Sequence, residues 1–195
     1  MNSDDLLVAG VDEVGKGSLF GPVFAGAVIL NKENAIKLLN KGLKDSKKLS
    51  LNQRKELVPL IKTNSLAWSI GQASASVIDR EGIRYATEKA MLRALEKFFS
   101  PPDLILVDGN LPIRLWEGFQ KTQIRGESHF ASIAAASVIA KQARDELIER
   151  LAQKYPIYEL EKNKGYGTKY HRNILIKEGE TDLHRKSFLS KLKIT

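Results

Sequence analysis

The chain has 195 residues, 31 of them lysine or arginine and 23 aspartate or glutamate, for a formal net charge of +8. That length suits one globular domain, or one domain with a small appendage, and it can bury a core without covalent staples. With no cysteine, a disulfide scaffold, a zinc ribbon and a cysteine nucleophile are excluded. The apolar runs fall well short of the roughly 20 residues a membrane helix needs. The first five residues are polar and acidic, unlike a secretion signal, so the expected location is the cytoplasm.

In chain order, Leu6 to Val11 is a short apolar run that stops at Asp12 and Glu13, and Val23 to Leu30 is a second. Glycines 15, 17 and 21 with Pro22 lie between them, which predicts strand, glycine loop, strand. Ser50 to Gln53 has the spacing of a capping box and predicts a helix start, with Pro59 as a candidate stop. Leu66 to Ala73 reads as a third strand. Ile83 to Phe99 carries a helical stripe, ended by Ser100, Pro101 and Pro102. Leu104 to Val107 is a continuous apolar run, as expected of a strand covered on both faces. Lys121 to Arg125 reads as a short fifth strand. Ser128 to Tyr155 carries the clearest helical repeat, through Ile133, Ala136, Ala140, Ala143, Leu147 and Leu151. The small residues of its first half allow close approach to a sheet. Beyond Pro156 the chain turns basic, with nine basic and three acidic residues from Lys162 onward, and two short helices are expected. These elements predict an α/β domain with a mixed five-stranded sheet and a small helical C-terminal extension. The expected division is 1–155 for the domain and 156–195 for the extension.

Three carboxylates stand at strand ends. Asp12 and Glu13 close the first apolar run, and Asp108 closes the fourth. Ligands of open α/β sheets bind outside the carboxyl ends of strands. A carboxylate there is costly unless compensated, and several together repel one another until a divalent cation intervenes. All-oxygen ligands suit Mg²⁺ or Mn²⁺. Each acid singly also reads as a cap or a turn residue. Neighbours on a strand point to opposite faces, so Asp12 and Glu13 share a metal only if the strand bends or the glutamate reaches around. Gly15-Lys16-Gly17 reads as a tight turn, or as a loop offering backbone N–H donors. Lys47 and Lys48 precede a helix start and read as phosphate contacts or as surface lysines. Tyr166 between two glycines in the basic segment reads as a stacking platform or as a loop tyrosine. His129, His171 and His184 lack a metal-binding spacing and read as structural.

The segment VAGVDEVGKGSLFGPVFAGAVIL resembles the opening of the bacterial ribonuclease HII family. The later pieces LKDSKKLS, LILVDGN, SIAAASVIAKQARD, KGYGT and HRKSF follow in that family's order. The resemblance spans nearly the whole chain. It implies a ribonuclease H-like fold and an endonuclease that cuts the RNA strand of RNA–DNA hybrids. It further implies incision 5′ of single ribonucleotides in duplex DNA, leaving 5′-phosphate and 3′-hydroxyl ends. It assigns metal binding and catalysis to Asp12, Glu13 and Asp108. Glu127 stands where the family usually has aspartate, and it is expected to fill the fourth place with one extra methylene. Gly15, Lys16 and Gly17 match a loop that senses the ribose 2′-hydroxyl. Tyr166 matches a tyrosine that packs on the sugar at the RNA–DNA junction, Lys47 a phosphate contact, and Asp145 a supporting residue. The implied cofactors are two Mg²⁺ or Mn²⁺ ions with substrate bound. The implied partners are hybrid or ribonucleotide-containing duplexes and, as a candidate, a sliding clamp, with no membrane. Monomer is the default state. The rivals are a ribonuclease HIII-like hybrid nuclease, a resolvase-like nuclease acting on DNA alone, and a non-catalytic nucleic-acid-binding protein. The acid pair at residue 12 leaves no space before it for the N-terminal domain of ribonuclease HIII. A pure binder would not explain acids at strand ends.

Overall fold

The computed structural model describes residues 6–191. Strands β1 (Val8–Val14), β2 (Val23–Ile29), β3 (Ala67–Ala73), β4 (Leu104–Asp108) and β5 (Gln120–Gln123) form one mixed sheet in the order β3-β2-β1-β4-β5. β1, β2 and β3 pair antiparallel with one another in sequence, while β4 pairs parallel with β1 and β5 parallel with β4. The helices are α1 (Lys32–Asn40), α2 (Leu51–Asn64), α3 (Ala75–Leu95), α4 (Ala131–Lys154), α5 (Leu160–Asn163), α6 (Lys169–Glu178) and α7 (Lys186–Lys191). No helix among the described residues is long and apolar enough to cross a membrane.

Strand alternation sorts the core. Ala9, Val11, Ala25, Ala27 and Ile29 pack with Ile78, Ala86, Ala90 and Met91 of α3. Val28 packs on the opposite face with Ala135, Ala136 and Ile139 of α4, and α1 and α2 add Leu38, Leu57 and Ile61 to that cluster. The small residues of α4 do let it approach closely. A Cβ at Gly26 would lie 2.3 Å from the Ala136 carbonyl oxygen, and one at Gly10 the same distance from the Ile133 nitrogen. Glycine on the strand and alanine on the helix are therefore two halves of one contact.

Several boundaries differ from the sequence reading. β1 does not stop at the acids but pairs on through Asp12↔Gly26 and Glu13↔Ala25 to Val14. Ser50 builds the expected capping box, yet α2 continues through Pro59. That proline and Lys55, whose carbonyl it leaves unbonded, are both exposed, so water can serve the orphan group. α3 starts at the Ser74 cap, eight residues early, because Gly82 at φ 83° joins two helical pieces that differ in their exposed face. α1 was not foreseen, since Leu38 is its only buried residue. α4 begins at Ala131, after a 3₁₀ turn at Gly126–Ser128. The basic segment holds three short helices rather than two.

That segment packs on the rest through Leu19, Phe20, Ile148, Ala152, Tyr158, Leu160, Leu175 and Leu189. His171 and His184 are both fully inside this cluster. Burial pushes both imidazoles below their ordinary range, His184 down to about 3.

Two outcomes follow. Gly26→Ala is expected to lower unfolding free energy by about 3 kcal/mol, whereas Gly17→Ala, with nothing within 4 Å of its Cβ, should change it by less than about 0.5 kcal/mol; urea titration distinguishes them. The unfolded chain binds protons on His171 and His184 below the free imidazole value of 6.5 while the native chain does not, so stability is full above that pH and falls below it. Melting temperature plotted against pH should therefore fall more gently on acidification in a His184→Phe chain than in the native one.

Candidate active site

The four acids meet at the carboxyl end of β1 and β4. Asp12, buried at 7% exposure, lies on the α4 face, where Ser137 acts to lower its proton affinity. Its Oδ1 also accepts the Glu13 N–H at 2.7 Å. Glu13 points to the other face, as alternation demands, into a small cleft that it shares with Asp108 and Lys16. Asp108 ends β4 and stands between the other acids. Its Oδ1 accepts the Gly126 N–H at 2.7 Å. Arg125, in the left-handed region at φ 55°, turns the chain so that this N–H faces it. A Cβ on Gly126 would press on the end of the Ile133 side chain and on Asp108, so a larger residue here needs Ile133 to move. Glu127 follows at once and lies close enough to Asp108 for that carboxylate to raise its proton affinity.

The cost of this crowding is visible in the proton affinities. Desolvation, and then the charges of Glu13 and Asp108, hold the Asp12 carboxyl well above the usual carboxylate range. Glu127 is raised by burial first, with Asp108 and Asp45 adding to it. One Glu127 oxygen, Oε2, is buried without a hydrogen-bond partner. Among the described residues no three acids or histidines already close into a metal cage; Glu13 is paired with Lys16 at 3.3 Å, and Asp108 accepts the Gly126 N–H. The donor set nonetheless fits a hard divalent cation: oxygen atoms only, mutually repelling, one of them unpartnered. A groove of about 660 Å³ between α3 and α4 beside β3 touches none of these residues. A duplex needs an open face rather than a pocket.

The glycine loop lies beside the acids. Gly15 is at φ 85°, and a Cβ there would lie 2.1 Å from Nε of Arg144. Among the described residues the N–H groups of Lys16 and Gly17 make no internal hydrogen bond. The loop is zipped to the tyrosine loop by the Ser18↔Tyr166 bridge, by Leu19 N–H to Gly165 O at 2.9 Å and by Ser18 Oγ to Gly165 O at 2.8 Å. Arg144, fully buried, donates to Ser18 Oγ, Phe20 O and Lys164 O, and its guanidinium lies 5.4 Å from the Tyr166 ring. Arg185 donates to Lys16 O and Gly21 O at 2.9 Å. Lys47 is exposed on a 3₁₀ turn capped by Asp45. Ser46 of that turn meets Ser137 at 2.8 Å, which ties the lysine to the Asp12 side of the cluster. Asp145 stands apart, bonded to Arg54 at 3.0 Å and Lys141 at 2.7 Å. Arg54 also holds the Leu49 carbonyl, so Asp145 braces the Lys47 turn from beneath.

The ribonuclease HII family model matches residues 9–191. The chain belongs to the ribonuclease HII family. Ribonuclease HII of Prochlorococcus marinus (strain NATL1A) is 79% identical over 188 residues, 96% of each chain. That of Synechococcus sp. (strain CC9311) is 57% identical over 193 residues, 99% of this chain and 98% of its own. Among solved structures, ribonuclease H2 from Pyrococcus horikoshii OT3 superposes with a TM-score of 0.80 at 25% identity, covering 96% of both chains. The Archaeoglobus fulgidus RNase HII, solved in complex with PCNA, gives 0.76 at 26% with the same coverage. The chain is thus a ribonuclease H endonuclease acting on RNA–DNA hybrids.

Within the ribonuclease HII fold, several residues beside the site escaped the sequence reading. Asp45 adds charge near Glu127, Ser137 lowers the proton affinity of Asp12, and Arg144 and Arg185 fasten the loops. Ser137 hides in a run of small residues, and the two arginines look like ordinary surface charges in a basic chain. Glu88, buried and paired with Arg84 and Arg114, borders the Glu13–Asp108 cleft.

A buried carboxylate held above its usual range costs stability when ionised at neutral pH. Without metal, Asp12→Asn should therefore raise the melting temperature in calorimetry. An unchanged or lower melting temperature would mean that the charge on Asp12 is already compensated.

Proposed function

We propose that this chain is a divalent-metal-dependent endonuclease that incises on the 5′ side of single ribonucleotides in duplex DNA as well as within longer hybrids, leaving 5′-phosphate and 3′-hydroxyl ends. The observation that carries this reading is the placement of four crowded acids directly beside a glycine loop that is zipped to Tyr166. In this reading Asp12, Glu13, Asp108 and Glu127 hold two Mg²⁺ or Mn²⁺ ions. The ions, when bound, supply Lewis-acid activation of water and stabilise charge on the leaving 3′-oxygen.

The chain's own residues do the rest. Asp108, between the other acids, orients both halves of the cluster. Glu127 has the reach of an extra methylene, and its free Oε2 is the oxygen available to a cation. The N–H groups of Gly15, Lys16 and Gly17 face the ribose and recognise the 2′-hydroxyl, the group that separates RNA from DNA. Tyr166 packs on the sugar at the junction, and Lys47 contacts a flanking phosphate. Lys16 neutralises Glu13 until substrate or metal arrives. Residues 156–195 act as an extension packed on the 1–155 catalytic domain, and their basic face holds duplex phosphates through salt-sensitive contacts. A sliding clamp fits as partner, since the Archaeoglobus relative was solved with PCNA. The working unit is a monomer in the cytoplasm.

The test is a labelled duplex with one ribonucleotide, incubated with Mg²⁺, Mn²⁺ or a chelator beside an all-DNA control. Metal-dependent incision 5′ of the ribonucleotide alone is expected. Asp12→Asn and Asp108→Asn should each lose at least about a thousandfold in kcat while duplex binding persists. Cutting of long hybrid but not of the single-ribonucleotide duplex would overturn the incision claim, and full activity in chelator would overturn the metal assignment.

A further inference from the structure

His171 and His184 form a hydrogen-bonded pair that the reaction does not use, with Nε2 facing Nε2 at 3.1 Å. The protons on this pair are fixed by one backbone group. The Thr181 N–H donates to His184 Nδ1 at 2.9 Å, and a backbone amide can only donate. His184 Nδ1 is therefore an acceptor, and in the neutral ring the proton is on Nε2. That proton faces His171 Nε2, which must accept it, so His171 carries its own proton on Nδ1. Nδ1 lies 3.0 Å from the Tyr166 carbonyl. The chain of donors runs from Thr181 through both rings to the backbone of Tyr166.

The surroundings keep the relay neutral. Both rings are buried, at 0% and 1% exposure. The Phe20 ring stands edge-on to His184 at 4.9 Å and the Tyr158 ring tilts over it at 4.8 Å. The Tyr158 hydroxyl is spent on Gly179 O, and among the described residues no carboxylate bonds either ring. The residue after His184 is Arg185, which grips the Lys16 carbonyl. Adjacent positions of the extension thus hold the two loops that face the ribose.

We propose that His184, acting through His171, is a positioning residue that sets Tyr166 against the glycine loop for sugar packing. The proposal rests on the reading of Tyr166 as a substrate contact. It requires a Nδ1–H on His171 and a Nε2–H on His184, and it assigns the relay's effect to substrate binding rather than to the chemical step.

Two measurements on the full chain test it. The chain has three histidines, so ¹⁵N-detected imidazole spectra resolve each tautomer. Nδ1–H on His171 and Nε2–H on His184 are expected at neutral pH. The opposite tautomers, or a charged ring, overturn the relay whatever the activity. In kinetics on a hybrid, His171→Gln, which places no donor at the Nδ1 position, should cost about fivefold in kcat/KM, the worth of one net hydrogen bond, carried by KM. His171→Asn, whose amide falls near Nδ1, should recover most of it. In a Tyr166→Ala background His171→Gln should cost nothing further. An equal cost in both backgrounds, or a loss confined to kcat, overturns the proposal. A Tyr166→Ala chain with native KM overturns instead the substrate role of Tyr166, while the spectra still report on the relay.

Discussion

Like charges in a confined, poorly solvated space constrain everything else at this site. Asp12, Glu13, Asp108 and Glu127 are brought together by strand ends and one turn, and bringing them together costs free energy. The fold spends its strongest elements on this. β1 is the central strand, paired on both sides, and α4 is pressed onto the sheet where Gly10 of β1 meets the Ser132–Ile133 backbone and Gly26 of β2 meets Ala136. The remaining repulsion is blunted locally by N–H groups of Glu13 and Gly126, by Ser137 and by Lys16.

The second half of the site is held in a different way. The glycine loop and the Tyr166 loop have little regular structure. Two buried arginines, Arg144 and Arg185, satisfy carbonyls that no ladder reaches. Burial lowers the proton affinity of both, Arg185 to about 9, which measures the desolvation cost of using cations as internal brackets. Arg144 offsets that cost with four hydrogen bonds from its planar fork, whereas Arg185 makes two and leaves Nη2 without a partner. The C-terminal extension therefore does more than cover apolar surface: it fixes the glycine loop through the Ser18↔Tyr166 bridge and Arg185.

Much of this was legible in the sequence. Five strands, the capping box at Ser50 and the long α4 follow from period and cap chemistry. The strand-end acids follow from their abrupt interruption of apolar runs. What was not legible has physical reasons. β1 continues through Asp12 and Glu13 because ladder partners on β2, not side-chain polarity, decide where a strand ends. The Gly82 kink hides the first third of α3, since a stripe that changes face has no single period. The placement of Glu13 in a cleft with Asp108, and of Tyr166 beside Gly15, depends on pairs of segments far apart in the chain, which only the quoted family motifs could link. The histidines read as structural from their spacing, and spacing does not show that their hydrogen bonds end at Tyr166.

The central claim is that the four acids form one cation-binding cluster whose repulsion is relieved by metal. The most direct measurement is titration of Mn²⁺ into the substrate-free chain, followed by the electron spin resonance signal of the unbound ion. Saturable binding in the native chain, lost on Asp108→Asn, is the predicted result. Binding unaffected by that change, or none with or without a hybrid duplex present, would contradict the account.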